Sequence, residues 1–308
     1  MSFIFLLIGC EYRDQNQKHT SLISETDATG TQVRLERYPE RIVSASPNNT
    51  EILLELGLRE KLVGVSAFYG YPERVQGIER IGGYINPNVE KIMAIEPDIV
   101  FAARGNPSKI IETLRKNSIK VFAVDIKGLD DLFEAILQIG RLTDREDNAR
   151  AIVEKMRTEL KRAQQFVAKL KDEQKPRVLW LGQESPLSAA GPDNMIDELI
   201  RRAGGKNAAG QQKSKWPTIN VEKLLLLDPQ IIILGEERYR RAPDKVAKTI
   251  SRWQGDFRWR NIAAVAAGNV YFVPTDFIGQ PSPRNIDGLK RLIKIFHPDI
   301  FSELYEKE

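Results

Sequence analysis

Cysteine and histidine, the side chains with the widest range of chemistry, are almost absent from this sequence. The chain of 308 residues contains one cysteine, Cys10, and two histidines, His19 and His297. A disulfide within the chain is therefore excluded, and zinc sites built from His and Cys have almost no candidates. A Cys–His or Ser–His catalytic pair would have to use a histidine near one end of the sequence. We therefore expect no catalytic residue and no protein-bound metal or cofactor.

Phosphate chemistry and nucleic-acid binding also find little support. The segment Gly204-Gly205-Lys206-Asn207 lacks the hydroxyl residue with which a nucleotide-binding loop holds Mg²⁺. The 46 basic and 42 acidic residues leave a net charge of only +4, and no block of Lys and Arg dominates any segment. Nucleic-acid-binding proteins gather basic residues into a stripe, so we expect no such partner. The length favours two domains of ordinary globular composition.

One stretch of the sequence occurs twice. Residues 88–100 (NVEKIMAIEPDIV) align without gaps on residues 220–232 (NVEKLLLLDPQII), with six of thirteen positions identical. Average composition would give about one identity by chance. In each copy, asparagine is placed to cap a short helix, glutamate occupies the first turn, and proline precedes a β-branched strand. We therefore expect a duplicated structural unit.

The flanking segments recur in the same order. Residues 41–44 (RIVS) are echoed by residues 177–180 (RVLW), and residues 120–124 (KVFAV) by residues 269–273 (NVYFV). Each half then alternates short apolar strands with helices, which is the pattern of a parallel sheet buried on both faces. The predicted fold class is α/β, with two Rossmann-like lobes over residues 31–143 and 174–308.

A single long helix is predicted between these lobes. From Asp144 to Asp172 there is no Pro or Gly, and apolar residues recur every three or four positions. We expect an amphipathic helix over residues 144–173, about 45 Å long, that acts as a stiff strut between the lobes.

Loops that follow the predicted strands carry an unusual density of aromatic residues. Ligands bind at the carboxyl ends of the strands in open parallel sheets, so these loops are the expected binding site. Aromatic side chains flanked by polar residues would form an apolar wall for a large flat ligand. For Trp216, which stands between Lys215 and Pro217, core packing is the alternative to ligand contact.

With these features together, the chain resembles the class III substrate-binding proteins of ABC importers. The resemblance covers nearly everything after residue 30, and it includes residues 41–51 (RIVSASPNNTE), residues 81–83 (IGG), both NVEK copies and residues 282–289 (SPRNIDGL). Cobalamin-binding members are the most similar, since they share the pattern from Ser46 to Glu51, Arg104-Gly105, and Trp216-Pro217 six residues before Glu222. Members that bind iron–siderophores or haem come next.

The resemblance and the loop positions together supply the candidate ligand contacts, which are Ser46, Phe68, Tyr69, Arg104, Trp216, Tyr239, Asp276, Phe277 and Arg284. Phe68 stands where a cobalamin-binding relative has a tyrosine that contacts the ligand. Gly70 and Ala103 replace an aspartate and a tryptophan of that relative. The arginines suit an anionic siderophore, but they are equally consistent with ordinary solvated side chains.

Glu90 and Glu222 occupy the equivalent position in the two NVEK copies. The resemblance implies that these glutamates dock into arginine pockets on the two subunits of an ABC permease dimer, which works with an ATPase. Their alternative role is to stabilise the first turn of a helix, where an acid is favoured.

The N-terminal segment predicts a lipid anchor. Residues 7–10 (LIGC) resemble the lipobox of bacterial lipoproteins, in which the cysteine is acylated. We expect a signal peptide over residues 1–9, short enough to be truncated, and a flexible tether over residues 10–30. Cys10 would then hold the protein on the outer face of a membrane; a chance cysteine is the alternative.

The expected function is capture of cobalamin or a related corrinoid between the lobes and delivery to a permease by a monomeric lipoprotein of the cell envelope. An iron–siderophore or haem carrier of the same class is the alternative. A less favoured alternative is an enzyme resembling tetrapyrrole metal chelatases, which use a histidine and a carboxylate in the cleft.

Overall fold

The computed structural model describes residues 23–66, 72–184, 186–235 and 244–305. The predicted Cys10, Phe68, Tyr69 and Tyr239 lie outside these ranges. Within them, two sheets form two lobes that are joined by one long helix, so the predicted fold class is confirmed.

A two-stranded hairpin corrects the start of the N-terminal lobe. Strands β1 (Ile23–Thr26) and β2 (Gln32–Leu35) pair antiparallel within a segment whose first part we assigned to the tether. The Asp27 carboxylate explains the difference, because it accepts hydrogen bonds from the backbone N–H groups of Thr29 and Thr31 at 2.9 and 3.0 Å. The same carboxylate accepts from the backbone N–H of Ala123 at 3.0 Å, which attaches the hairpin to the lobe.

The N-terminal sheet contains five parallel strands in the order β5-β4-β3-β6-β7. These strands are β3 (Ile42–Ser44), β4 (Leu62–Val65), β5 (Glu79–Arg80), β6 (Ile99–Ala103) and β7 (Val121–Val124). The helices around them are α1 (Pro47–Glu55), α2 (Val89–Ala94), α3 (Ser108–Lys116) and α4 (Leu129–Leu142). Single 3₁₀ turns occur at Arg59–Lys61 and Pro72–Val75.

The connecting helix α5 spans Glu146–Val167 and has 22 residues, fewer than the roughly thirty expected. The chain tightens after Val167, where the backbone N–H groups of Lys169 and Leu170 bond to carbonyls three residues earlier. A 3₁₀ turn at Asp172–Gln174 follows. Leu170 is still buried. Apolar spacing of three residues therefore continues past the end of the α-helix, and periodicity alone cannot separate the two conformations.

The C-terminal sheet has the order β11-β9-β8-β12-β13, with β10 paired to β8 as a branch. Its strands are β8 (Arg177–Glu184), β9 (Leu187–Ala189), β10 (Lys206–Asn207), β11 (Thr218–Ile219), β12 (Ile231–Leu234) and β13 (Val270–Phe272). The pairs β8–β10, β8–β12 and β12–β13 are parallel, whereas β9 runs antiparallel to both β8 and β11.

Seven described helices surround this sheet. They are α6 (Met195–Arg202), α7 (Val221–Leu227), α8 (Asp244–Gly255), α9 (Ala263–Ala266), α10 (Thr275–Ile278), α11 (Asn285–Phe296) and α12 (Pro298–Tyr305).

The internal repeat corresponds to equivalent structure in the two lobes. Strand β3 pairs with β6 in the N-terminal lobe, and β8 pairs with β12 in the C-terminal lobe. Strands β7 and β13 extend these pairs on the same side. Each repeat helix begins at the predicted asparagine cap, since Asn88 accepts from the Lys91 N–H and Asn220 accepts from the Lys223 N–H.

One apolar core runs through both lobes. The buried face of α5 packs against α4 on one side and against α6 and α11 on the other. Phe101, Met156 and Leu289 belong to the same buried cluster, although they come from the first lobe, the connecting helix and the second lobe. The lobes are therefore attached through packed side chains as well as through the chain itself. Across the described ranges, no helix is both long and apolar enough to cross a bilayer.

Candidate functional site

A cleft of about 620 Å³ lies between the two lobes. The ends of strands β6 and β7, Tyr84 and the start of α1 supply its N-terminal wall. The start of α6, the segment before β11 and Gly279–Pro281 supply the other wall. Its lining residues are Pro47, Asn48, Tyr84, Ala103, Arg104, Gly105, Val124, Ile126, Lys127, Asp193, Asn194, Met195, Lys215, Trp216, Gly279, Gln280 and Pro281. Carboxyl ends of parallel strands thus meet the cleft, as the predicted topology requires.

The N-terminal wall is held in shape by Asn106, a buried residue just beyond β6. Its side-chain amide donates to the carbonyl oxygens of Ala45 at 2.9 Å and Tyr84 at 2.7 Å, and its Oδ1 accepts from the Ala103 N–H at 2.8 Å. These bonds connect three lining segments to one side chain. Sequence reasoning missed Asn106, although an asparagine directly after a buried strand is a signal for such a turn.

Gly105 brings Tyr84 close to the same wall. The Gly105 N–H donates to the Tyr84 hydroxyl oxygen at 2.8 Å, and a Cβ at position 105 would lie 2.0 Å from that oxygen. A side chain at this position would therefore displace the tyrosine. Burial raises the pKa of the Tyr84 hydroxyl above its ordinary value.

Charged groups give the cleft a small positive excess. Asp125 lies between Arg104 at 3.5 Å and Lys127 at 3.4 Å on the N-terminal wall. On the opposite wall, the Lys215 Nζ donates to the backbone carbonyl of Asp193 at 2.7 Å. Three lining cations therefore face two carboxylates, those of Asp125 and Asp193, which suits ligands with an anionic edge.

Trp216 provides the main apolar surface of the second wall. Its ring is 51% exposed and packs edge-to-face on the buried Trp180, with ring centroids 5.8 Å apart. The adjacent Lys215 carbonyl accepts hydrogen bonds from Gly191 N–H at 2.9 Å and Asn194 Nδ2 at 3.0 Å. These contacts fix the backbone beside the tryptophan. The exposure contradicts the core-packing alternative and makes Trp216 available to a ligand.

Ser46 is buried beneath the cleft and does not line it. Its hydroxyl oxygen accepts from the Asn49 N–H at 3.3 Å and so caps α1, whose first residues, Pro47 and Asn48, are in the lining. The structure therefore places Ser46 as a helix cap behind the cleft surface, whereas Arg104 and Trp216 line the cleft.

Asp276, Phe277 and Arg284 contact one another beside the segment that lines the cleft. Arg284 pairs with Asp276 at 3.2 Å and lies 4.6 Å from the centre of the Phe277 ring. Asp276 and Phe277 are buried, and none of the three lines the cleft. The segment Gly279–Pro281, which lies between them in sequence, does line it.

Glu90 and Glu222 are both exposed in the first turn of their helices, α2 and α7. Neither carboxylate forms an ion pair with another described residue. Each belongs to a helix that begins at an asparagine cap, so the two side chains start from equivalent backbone positions.

His297 lies outside the cleft. Its Nε2 is 3.3 Å from the carbonyl oxygen of Gly204, and its ring packs against Phe166 with centroids 5.1 Å apart. Burial lowers the pKa of His297. In the described part of the chain, no group of three or more His, Cys, Asp or Glu side chains is arranged to hold a metal ion.

Residues 42–277, more than half of the chain, match the model of a family described as periplasmic binding protein. An uncharacterized ABC transporter substrate-binding lipoprotein of Bacillus subtilis, YvrC, is 31% identical over 97% of this chain and 95% of its own length. A cobalamin-binding protein of Halobacterium salinarum is 31% identical over 93% of this chain and 77% of its own length.

Among solved structures, the periplasmic vitamin B12 binding protein BtuF of Vibrio cholerae superposes with a TM-score of 0.72 at 24% identity. The superposition covers 86% of this chain and 98% of that protein. At this identity the similarity establishes the fold.

Proposed function

Because this chain belongs to the periplasmic binding protein family, we propose that it is the substrate-binding protein of an ABC importer and carries cobalamin or a related corrinoid. The observation that carries the proposal is Trp216, a half-exposed ring supported by Trp180 within the cleft between the lobes. The volume of about 620 Å³ is within the usual range for small-molecule sites. A relative named as a cobalamin-binding protein supports the choice of ligand.

An iron–siderophore or haem is the second candidate ligand. The positive excess from Arg104, Lys127 and Lys215 favours it, since carboxylates of such ligands would pair with these side chains. Cobalamin would instead use the apolar ring of Trp216 and polar groups such as the Gln280 amide. In both cases the protein acts as a carrier and returns its ligand unchanged, which separates it from a chelatase in a turnover assay with free tetrapyrrole and metal.

A spectroscopic titration tests the ligand. Purified protein is mixed with cyanocobalamin, haem and a panel of ferric siderophores, and the visible spectrum and heat of binding are recorded. Saturable binding of cyanocobalamin supports the proposal. Binding of a ferric siderophore or haem with no response to cyanocobalamin would replace it with the second candidate.

Delivery would proceed through Glu90 and Glu222. Each lobe presents one exposed acid at an equivalent position, and two equivalent acids suit a permease that offers the same basic pocket twice.

We further propose that acylated Cys10 anchors a monomeric protein to the outer face of a membrane. Replacement of Cys10 by serine should release the protein from the detergent phase without changing ligand affinity; unchanged partitioning would contradict the anchor.

A further inference from the structure

The turn that follows α8 presents a phenylalanine ring to solvent. Phe257 is 73% exposed, more than any other aromatic side chain in the described ranges. It lies outside the apolar core of the C-terminal lobe and does not line the cleft. Single apolar side chains are common on protein surfaces, so the residues around Phe257 decide whether its exposure has a function.

Hydrogen bonds within the turn fix its shape. The Asp256 carboxylate accepts from the Arg258 backbone N–H at 2.9 Å and from the Arg258 Nε at 3.0 Å. The Asp256 carbonyl oxygen accepts from the backbone N–H groups of Trp259 and Arg260, both at 3.0 Å. Phe257 therefore occupies a defined position between two bonded residues.

Two stacked tryptophans attach the turn to the lobe. The rings of Trp253, on α8, and Trp259, after the turn, lie with centroids 4.2 Å apart and an angle of 9° between their planes. Both are buried in the C-terminal core. Farther along, the Ala263 N–H donates to Asp228 Oδ1 at 3.0 Å, just beyond α7. The exposure of Phe257 is therefore a feature of a packed segment that is attached on both sides.

Basic residues accompany the exposed ring. Residues 244–260 contain five basic and two acidic side chains. Both acids are paired within the segment, Asp244 with Lys248 at 2.7 Å and Asp256 with Arg258 at 2.6 Å. An excess of three positive charges remains beside an aromatic ring that faces solvent.

The cations of α8 lie along one side of the helix. Lys245, Lys248 and Arg252 are exposed and recur at intervals of three and four residues, which places them on one face. Thr249 and Trp253 are buried on the face that packs against the lobe. Because the helix leads directly into the turn, the basic stripe and the exposed ring belong to one continuous segment.

We propose that residues 244–260 form a contact with a membrane surface that carries anionic lipid. Basic side chains near such a surface are attracted to the lipid phosphates, and an aromatic ring is favoured at the depth of the headgroups. A ring on a projecting turn would need a fitting pocket on a folded partner, whereas a fluid lipid surface needs none. The contact goes beyond the carrier role and does not depend on the ligand.

The contact would orient the C-terminal lobe. Acylation of Cys10, proposed above, would keep this segment close to lipid, so a weak attraction is sufficient. Glu222 lies on α7, and the segment after the turn is bonded to Asp228 at the end of that helix. A fixed orientation of the turn therefore also fixes the orientation of the proposed docking helix.

Fluorescence from the turn tests the contact. The chain has one cysteine, so Cys10→Ser with Phe257→Cys leaves a single thiol for an environment-sensitive nitrobenzoxadiazole label. Vesicles of phosphatidylcholine are compared with vesicles that also contain about 30% phosphatidylglycerol. We expect a blue shift and quenching by doxyl-labelled lipid with the anionic vesicles, both reversed by added salt. This chain is not acylated, so failure of the contact and failure of the proposed anchor are separate results.

Leu226→Cys, labelled in the same background, is the matched control. Leu226 is 82% exposed in the same lobe, but the acidic Glu222 lies four residues earlier on the same helix face. Both labelled chains share the same N-terminal segment, so adsorption through that segment affects them equally. The label at position 226 should show no blue shift. Equal shifts at the two positions, or no shift at position 257, would overturn the proposal.

Lys245→Gln with Arg260→Gln tests the role of charge. Neither residue takes part in the two ion pairs of the segment. The lipid concentration that gives half of the shift at position 257 should rise about tenfold, since each basic residue near an anionic surface contributes up to about fivefold.

Lys109→Gln with Lys116→Gln changes the net charge equally on exposed positions of α3 and should have little effect. Equal losses in the two double variants would overturn the proposal. A shift that requires native membrane vesicles and is absent with pure lipid would assign the turn to a membrane protein and overturn it as well.

Discussion

In the N-terminal lobe, Arg41 donates from its Nε to the carbonyl oxygen of Glu96 at 3.0 Å, just after α2. In the C-terminal lobe, Arg177 donates to the carbonyl of Asp228 at the same distance, just after α7. Glu96 and Asp228 both adopt a positive φ, of 44° and 35°. An arginine at the start of a strand therefore satisfies the end of the repeat helix in each copy, since helix C-termini leave carbonyls without partners.

The walls of the cleft do not share this correspondence. The N-terminal wall consists of Tyr84 and a charged group around Asp125, carried by the ends of parallel strands. Trp216 on the other wall precedes β11, which belongs to the antiparallel extension that the first sheet lacks among the described residues. Equivalent structure thus persists at the repeat helices and the strands around them, and the lobes diverge where they line the cleft.

The largest effect should come from the diverged wall. Trp216→Ala should weaken ligand binding by about tenfold to a hundredfold, because burying an aromatic face is worth about 1.5–3 kcal/mol. Folding stability should change little, since half of the ring is exposed. Calorimetric titration with whichever ligand the spectroscopic screen selects measures the affinity, and thermal unfolding measures the stability. Phe257→Ala is the control, because Phe257 is 73% exposed and does not line the cleft. Equal losses of ligand affinity in the two variants would show that Trp216 does not contact the ligand.

The equivalent glutamates, proposed to dock on the permease, predict a smaller effect that is similar for the two lobes. Glu90→Ala with Glu222→Ala should reduce permease affinity about tenfold and leave ligand binding intact, with each single variant contributing part of the loss. Raising the salt concentration should lower the permease affinity of the wild-type protein in the same way, because exposed charge pairs are screened beyond about 10 Å at 0.1 M. Stimulation of the transporter ATPase reports the result. Full stimulation of the ATPase by the double variant would mean that both glutamates only stabilise their helices.

The contrast between the lobes also explains what the sequence could predict. The caps at Asn88 and Asn220 and the parallel pairing of the central strands were predictable because they depend on local residue types and on a repeat visible in the chain. The hairpin at Asp27 was missed because its anchor, the Ala123 N–H, is 96 residues away. A polar segment near an end of the chain gives no sign of such a distant partner.

The residues that line the cleft could also be predicted only in part, because some contacts join distant segments. Arg104 and Trp216 line the cleft and could be chosen from their loops, whereas spacing does not reveal the ion pair between Asp276 and Arg284. Tyr84 lines the cleft beside Gly105, which has no side chain and so leaves room for the tyrosine hydroxyl. The two residues come from separate segments, so the sequence pattern does not show this contact.

The equivalent arginines provide a test of folding in the two halves. Arg41→Ala and Arg177→Ala should each destabilise the protein by about 1.5 kcal/mol, because each removes hydrogen bonds from a charged donor to a helix end. Unfolding by urea, followed by circular dichroism, measures the change. Lysine at the same positions is the control, because it keeps the charge but cannot donate from two nitrogens at once. Strongly unequal losses of unfolding free energy in the two alanine variants would show that the arginine stabilises the helix end in only one lobe.

The smallest expected effect concerns a group that only one lobe contains. Residues 31–143 have no histidine, whereas the C-terminal lobe has His297, packed on α5 through Phe166. Burial lowers the pKa of His297, so the unfolded chain binds its proton more readily than the folded protein. The stabilisation is therefore complete above the pKa of the unfolded chain, about 6.5, and is lost as the pH falls through the pKa of the folded protein.

His297→Gln should remove this dependence, and the melting temperatures of variant and wild type should converge or cross between pH 7 and pH 5. Burial raises the pKa of Glu51 on α1, which shifts stability in the opposite direction on acidification, so only the difference between variant and wild type isolates the histidine. His19→Gln is the control, and the same loss of pH dependence in that variant would assign the effect to the other histidine.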